Sequence, residues 1–106
     1  MTVQLPPPSP ALQLHQAAEV LRRSAQAAVA AMARNDYWAV GWARGVTNAI
    51  GGPEGELAAL LSPDAALTLA DALDTVGSEA ARRLRDAVPV PLAVFAGRVV
   101  EAPREG

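Results

Sequence analysis

Residues 10–34 read PALQLHQAAEVLRRSAQAAVAAMAR, and this stretch decides the fold. Apolar residues recur along it in alternating steps of four and three, the spacing that places them on one helix face. They are Leu14, Ala18, Leu21, Ala25, Ala28 and Met32. Because half of these positions are alanine, a partner helix can come close. Ser9-Pro10 has the form of an N-cap followed by a proline at the first helical position, so we predict a long helix from about Pro10 to Arg34.

Local start and stop signals predict further helical segments downstream. Asn35-Asp36 can cap a second helix over about 37–50, and the glycine-rich stretch 51–55 predicts a turn. Residues 56–61 are apolar and few, enough for one or two helical turns. Ser62-Pro63-Asp64 is the clearest boundary in the chain, because it combines a cap, a proline and an acid near the positive end of the helix dipole.

The helix that begins at Pro63 is predicted to reach at least Val76. It extends as far as Val88 unless Gly77 breaks it, and the sequence leaves both possibilities open. Its predicted apolar face consists of Leu69, Leu73, Val76, Ala80, Leu84 and Ala87. Pro89 and Pro91 favour an end to this helix.

Residues 90–101 have two interpretations, a short final helix or a hairpin that pairs residues 92–95 with 98–101. We favour the helix and predict an all-α fold, a small bundle of four to five helices. A proline-rich arm over residues 1–9 is expected to be flexible or to dock on a neighbour. A single helical domain is predicted over residues 10–102, with a tail at residues 103–106.

Composition narrows the functional classes. The chain has 24 alanines in 106 residues, no cysteine, one histidine, and nine basic residues that are all arginine. Zero cysteine excludes disulfides and thiolate metal sites and fits a cytoplasmic chain. A formal net charge of −2 is unlike the basic footprint of proteins that bind nucleic acid or anionic membranes. The first ten residues contain no basic residue and no apolar run, so no signal peptide is predicted.

Residues that carry chemistry are scarce and scattered. His15 is alone, and Asp71 and Asp74 are most simply solvated acids on a polar helix face. The 51–55 loop lacks the Lys-Ser/Thr of a phosphate-binding loop. We therefore predict that the protein is not an enzyme, with no catalytic residues, no metal, no cofactor and no small-molecule substrate.

Three of the four aromatic residues lie within six positions, at Tyr37, Trp38 and Trp42, with Arg44 beside them. Two interpretations stay open: these side chains anchor the core, or they form an aromatic-plus-arginine hot spot for another protein. We select Tyr37, Trp38, Trp42 and Arg44 as candidate protein-binding residues. The partner is then another protein or a second copy of this chain.

An alternative function is DNA binding through residues 69–85. The segment resembles the helix-turn-helix pattern of small bacterial regulators, with Arg82, Arg83 and Arg85 facing the groove. It departs from that pattern because Asp74 stands where the turn usually has glycine and Leu84 falls one residue late. Nucleic acid is therefore the less favoured partner.

Residues 51–74, GGPEGELAALLSPDAALTLADALD, resemble a pattern found in short uncharacterised proteins of actinobacteria and their phages. In those proteins a Gly-x-Gly-Glu turn and an apolar stretch precede a proline and an Ala-Asp-x-Leu-Asp helix. The resemblance covers about a quarter of the chain and implies a helical fold, without an activity or catalytic residues. Taken together, the sequence predicts a small protein-binding or self-assembling accessory protein.

Overall fold

Helices account for nearly all of the residues that the structure, a computed structural model, describes, namely residues 9–83 and 88–102. They are α1 (Pro10–Ala33), a 3-10 helix η1 (Asp36–Val40), α2 (Trp42–Ile50), α3 (Gly52–Ala59), α4 (Pro63–Arg82) and α5 (Val90–Glu101). No strand forms within these two ranges. The predicted all-α fold is therefore confirmed, and the hairpin alternative for residues 90–101 is wrong because α5 covers it.

The chain divides into two units by internal contacts, one up to Val20 and from Asp71 onward, the other from Leu21 to Ala70. Each unit has its own buried apolar residues. Those of the first unit are Ala11, Leu14, Ala17, Ala18, Leu73, Ala80 and Ala96, and those of the second are Leu21, Ala25, Val46, Ala66 and Ala70. Most are alanines, so both units rely on close backbone approach more than on large side chains. The single domain over residues 10–102 stays a prediction.

Helix α1 begins where the sequence places its start. The Ser9 hydroxyl accepts a hydrogen bond from the Leu12 backbone N–H at 3.1 Å, which satisfies one of the free donors of the first turn. Of the predicted apolar face, Leu14, Ala18, Leu21 and Ala25 are buried, while Ala28 and Met32 are half-buried. The face is thus confirmed most fully over the first half of the helix.

Helix α4 is one helix through Gly77, so the break considered there does not occur. Its start is as predicted, since the Ser62 hydroxyl accepts from the Ala65 N–H at 3.1 Å. A Cβ at Gly77 would lie 3.0 Å from His15 Nε2 and 3.1 Å from the Ala11 carbonyl oxygen. Gly77 is therefore a point of close approach between α1 and α4.

The buried face of α4 agrees with the predicted one at Leu73 and Ala80 and differs from it elsewhere. Its buried residues are Pro63, Ala66, Ala70, Leu73, Gly77 and Ala80, in alternating steps of three and four. Leu69 and Val76 are only half-buried, and Leu84 and Ala87 lie outside the described residues. The physical reason at Ala70 and Gly77 is size, because these small residues permit the closest helix contact while Leu69 and Val76 flank it.

The predicted helix over residues 37–50 is wrong in part, because it is divided at Gly41. The Asn35 side chain accepts from the Tyr37 N–H at 2.9 Å and caps η1 rather than an α-helix. Gly41 has a φ of 94°, a left-handed value that a helix interior does not allow. Helix α2 then begins at Trp42 and ends before Gly51, and α3 begins earlier than predicted, at Gly52.

The proline-rich arm, apart from Ser9, and the predicted tail lie outside the described residues. No helix in the described ranges combines the length and the apolar character needed to cross a membrane.

Candidate protein-binding surface

Three aromatic side chains of the second unit are in contact in a row and are here called the aromatic cluster: Tyr37, Trp38 and Trp42. The Tyr37 and Trp38 rings meet edge to face with centroids 5.1 Å apart. The Trp38 and Trp42 indoles are stacked at 5.5 Å with an interplanar angle of 16°. Aromatic pairs in these two arrangements attract each other beyond simple burial.

The aromatic cluster packs onto helix α2 at Gly45. A Cβ at this position would lie 2.6 Å from Trp38 Cε3 and Cζ3, so the indole lies directly on the glycine backbone. The Tyr37 hydroxyl donates to the Gly45 carbonyl oxygen at 2.6 Å. These contacts hold η1 against α2 after the chain changes direction at Gly41.

The exposure of the aromatic cluster is intermediate between that expected of core anchors and that expected of an exposed hot spot. Trp38 and Trp42 are half-buried, and Tyr37 is 43% exposed. The aromatic side chains are therefore neither a closed core nor a fully exposed patch. Their binding role stays a prediction.

Trp42 borders an apolar depression of about 160 Å³, here called the Trp42 cleft. Its lining consists of Leu21, Ser24, Ala25, Ala28, Trp42, Leu61, Ser62, Pro63 and Ala66. A second depression of about 250 Å³ shares Trp42, Ser62 and Pro63 with it. The buried Trp42 indole Nε1 has no hydrogen-bond partner among the described residues.

Arg44 does not lie on the same side of α2 as Trp42. It is exposed and lies two residues after Trp42, which places it about 200° around the axis of α2. The buried positions Gly45 and Val46 lie on the Trp42 side. The Arg44 side chain makes no ion pair or hydrogen bond with another described residue. The common hot spot of the aromatic residues and Arg44 stays a prediction.

The sequence analysis did not select three exposed leucines at and after the end of α3, the last of which lines the Trp42 cleft. Leu57 is 71% exposed, Leu60 is 78% exposed and Leu61 is 45% exposed. Residues three and four apart on helical backbone are neighbours, and the N–H groups of Leu60 and Leu61 bond back to residues 57 and 58. We call Leu57, Leu60 and Leu61 the leucine face. It is continuous with the Trp42 cleft because Leu61 belongs to both.

Helix α3 exposes Leu57 because it contacts α2 through a glycine. A Cβ at Gly55 would lie 3.4 Å from Ile50 Cβ and 3.5 Å from Thr47 Cα. Gly55 is the buried residue of α3, and Leu57 lies about 200° around the axis from it. The leucine spacing was visible in the sequence, but its exposure depends on which side of α3 meets α2.

The structure does not support the DNA-binding alternative at Arg82, Arg83 and the proposed turn. Arg82 and Arg83 both pair with Glu79, Arg83 through Nε to Oε1 at 3.0 Å. Residues 74–78, where the alternative needs a turn, are helical. Arg85 lies outside the described residues. The described part of the segment therefore forms no helix-turn-helix, since α4 does not bend between its two proposed halves.

His15 has a partner in the first unit. Its Nδ1 lies 2.7 Å from Asp74 Oδ1, and both side chains are about one-third exposed. Within residues 9–83 and 88–102, no group of three or more His, Cys, Asp or Glu side chains could hold a metal ion. The His15–Asp74 pair joins α1 to α4 next to the Gly77 contact. We therefore interpret the pair as a contact that supports the fold.

Comparison with known protein families, with curated proteins and with solved structures finds no match for this chain.

Proposed function

We propose that this chain is a non-enzymatic accessory protein that binds protein through the leucine face and the adjoining Trp42 cleft. The observation that carries the proposal is the exposure of Leu57, Leu60 and Leu61, the last of which lines an apolar depression. A continuous apolar surface of this kind is uncommon on a protein without a partner. Covering it with another protein removes the apolar area from water.

The aromatic cluster supports this surface by shaping the wall of the cleft. Trp42 lines the cleft while its other face is stacked on Trp38. We infer that the predicted hot-spot residues act in this indirect way, with Arg44 on the opposite side of α2. A phage or actinobacterial source and a cytoplasmic location stay predictions of the sequence.

The test compares capture of proteins from a cell extract by the wild-type chain and by the double variant Leu57→Gln/Leu60→Gln. We expect the wild type to retain at least one protein, itself included, that the double variant loses. Both leucines are exposed, so the variant keeps its helical circular dichroism. Leu12→Gln is the matched control, because Leu12 is an exposed leucine of the first unit. Equal retention by wild type and double variant contradicts the proposal.

A further inference from the structure

Helix η1 is attached to α2 through aromatic side chains, and Gly41 joins the two elements. We propose that η1 opens from α2 about Gly41 while the other helices stay folded, and that this opening releases Trp42. Because Trp42 lines the Trp42 cleft, the opening makes one wall of the cleft movable. The inference goes beyond the proposed function, since it concerns η1 and does not depend on what the leucine face binds.

Few contacts hold η1 in its closed position. None of the residues Asp36–Val40 is buried. Within the described ranges, one hydrogen bond joins η1 to α2, from the Tyr37 hydroxyl to the Gly45 carbonyl oxygen at 2.6 Å. The backbone hydrogen bonds of η1 with its flanking residues stay within residues 35–41. Segments with few buried contacts open locally at a lower free energy than the whole fold, so the closed position of η1 depends on its ring contacts with α2.

Gly41 has the properties of a hinge. It ends η1 and caps the start of α2 without a side-chain hydrogen bond. Its φ of 94° lies in a region that other residues rarely adopt, and a Cβ there would meet no atom within 4 Å. Hinges are commonly a few residues at the ends of elements that absorb a change in φ and ψ. Rotation at Gly41 is opposed neither by a side chain of its own nor by atoms on its Cβ side.

Trp42 is held in place by packing without a hydrogen bond from its ring. The indole Nε1 is buried and has no partner among the described residues, which is unfavourable for an N–H group. One side of the ring is stacked on Trp38. The ring also borders both the Trp42 cleft and the depression of about 250 Å³, which share Ser62 and Pro63. When η1 opens, Trp38 leaves the stack, so the Trp42 indole can turn and its N–H can reach water.

Hydrogen exchange of the indole N–H groups, followed by NMR on the full chain, tests the opening. Trp38 and Trp42 are the two tryptophans of the sequence, so both indole signals report on η1 and its contact with α2. After correction for intrinsic rates, we expect the Trp42 Nε1–H to exchange at least about 10-fold faster than the slowest amide protons of α4, which need a larger unfolding event. Equal protection of the indole N–H and these amides overturns the inference.

Tyr37→Phe tests whether the exchange passes through η1, because it removes the hydrogen bond to Gly45 and keeps the ring. One such hydrogen bond corresponds to about a 2- to 10-fold change in an equilibrium constant. The variant should speed exchange of the Trp42 Nε1–H by that factor and leave the α4 amides unchanged. Thr75→Val is the matched control, because it removes a hydroxyl-to-carbonyl bond within α4. Equal effects of the two variants on the indole N–H overturn the inference.

Gly41→Ala tests the hinge. Alanine resists a φ of 94°, so the closed position becomes strained and exchange of the Trp42 Nε1–H should rise at least about 10-fold. Gly97→Ala is the matched control, because a Cβ there also meets no atom within 4 Å and φ is not positive. It should leave the indole exchange unchanged. If Gly41→Ala speeds exchange of the α4 amides to the same extent, η1 does not open independently and the inference is overturned.

The opening of η1 and the proposed function fail in different ways. The exchange measurements use the chain alone, so they decide on the opening whether or not a protein is bound. Capture by the wild type and by Leu57→Gln/Leu60→Gln decides on the protein-binding function whether or not η1 opens.

Discussion

Gly45 shows how the absence of one side chain organises the aromatic cluster. The Trp38 indole occupies the space that a Cβ would need, and the Tyr37 hydroxyl bonds to the Gly45 carbonyl oxygen. Both contacts depend on the same residue of α2. The contacts at Gly45 therefore hold η1 against α2, although glycine has a lower helix propensity than alanine.

We expect Gly45→Ala to lower the free energy of unfolding by about 1–3 kcal/mol, because the rigid indole must move away from the new methyl group. Gly97→Ala is the matched control. Gly97 lies inside α5, and a Cβ there meets no atom within 4 Å. The control should raise stability by about 0.5–1 kcal/mol through helix propensity. Urea unfolding measures both, and equal effects of the two substitutions would contradict the packing of Trp38 on Gly45.

At the scale of elements, the starts of α1 and α4 could be predicted because their causes are local. Ser9 and Ser62 each cap a helix whose first residue is a proline. The break at Gly41 could not be predicted, since glycine also occurs inside helices and here its φ depends on η1 packing back on α2. The exposure of Leu57 could not be predicted either, because it follows from the contact of Gly55 with α2.

The face of α4 illustrates a different failure of prediction. A pattern built on the larger residues selected Leu69 and Val76, whereas the closest contact uses Ala70 and Gly77. Small residues share the buried side of α4 with Leu73, and at Ala70 and Gly77 they allow the backbones to approach. Binary patterning is therefore a weak guide to orientation in such helices.

We expect Gly77→Ala to lower the free energy of unfolding by about 1–2 kcal/mol, since the added methyl group meets the Ala11 carbonyl oxygen at 3.1 Å. If Gly77 were only a tolerated helix residue, the same change would stabilise α4 by about 1 kcal/mol. The sign of the change thus distinguishes the two explanations. Chemical denaturation of wild type and variant provides the measurement, and a stabilised variant would contradict close approach at this point.

For the whole molecule, apolar exposure and charge are unevenly distributed. The leucine face belongs to the unit whose net charge is zero, and the negative charge belongs to the rest of the chain. The surface that we propose to bind protein therefore lies in the part of the chain without net charge.

The two tryptophans of this chain are nearly parallel and 5.5 Å apart. Neighbouring indoles at that separation share their excited states, so light absorbed by one is not confined to it. The chain therefore carries an internal optical marker of the turn at Gly41, and the marker disappears when the rings separate. Any event that opens η1 from α2 becomes visible without attaching a label.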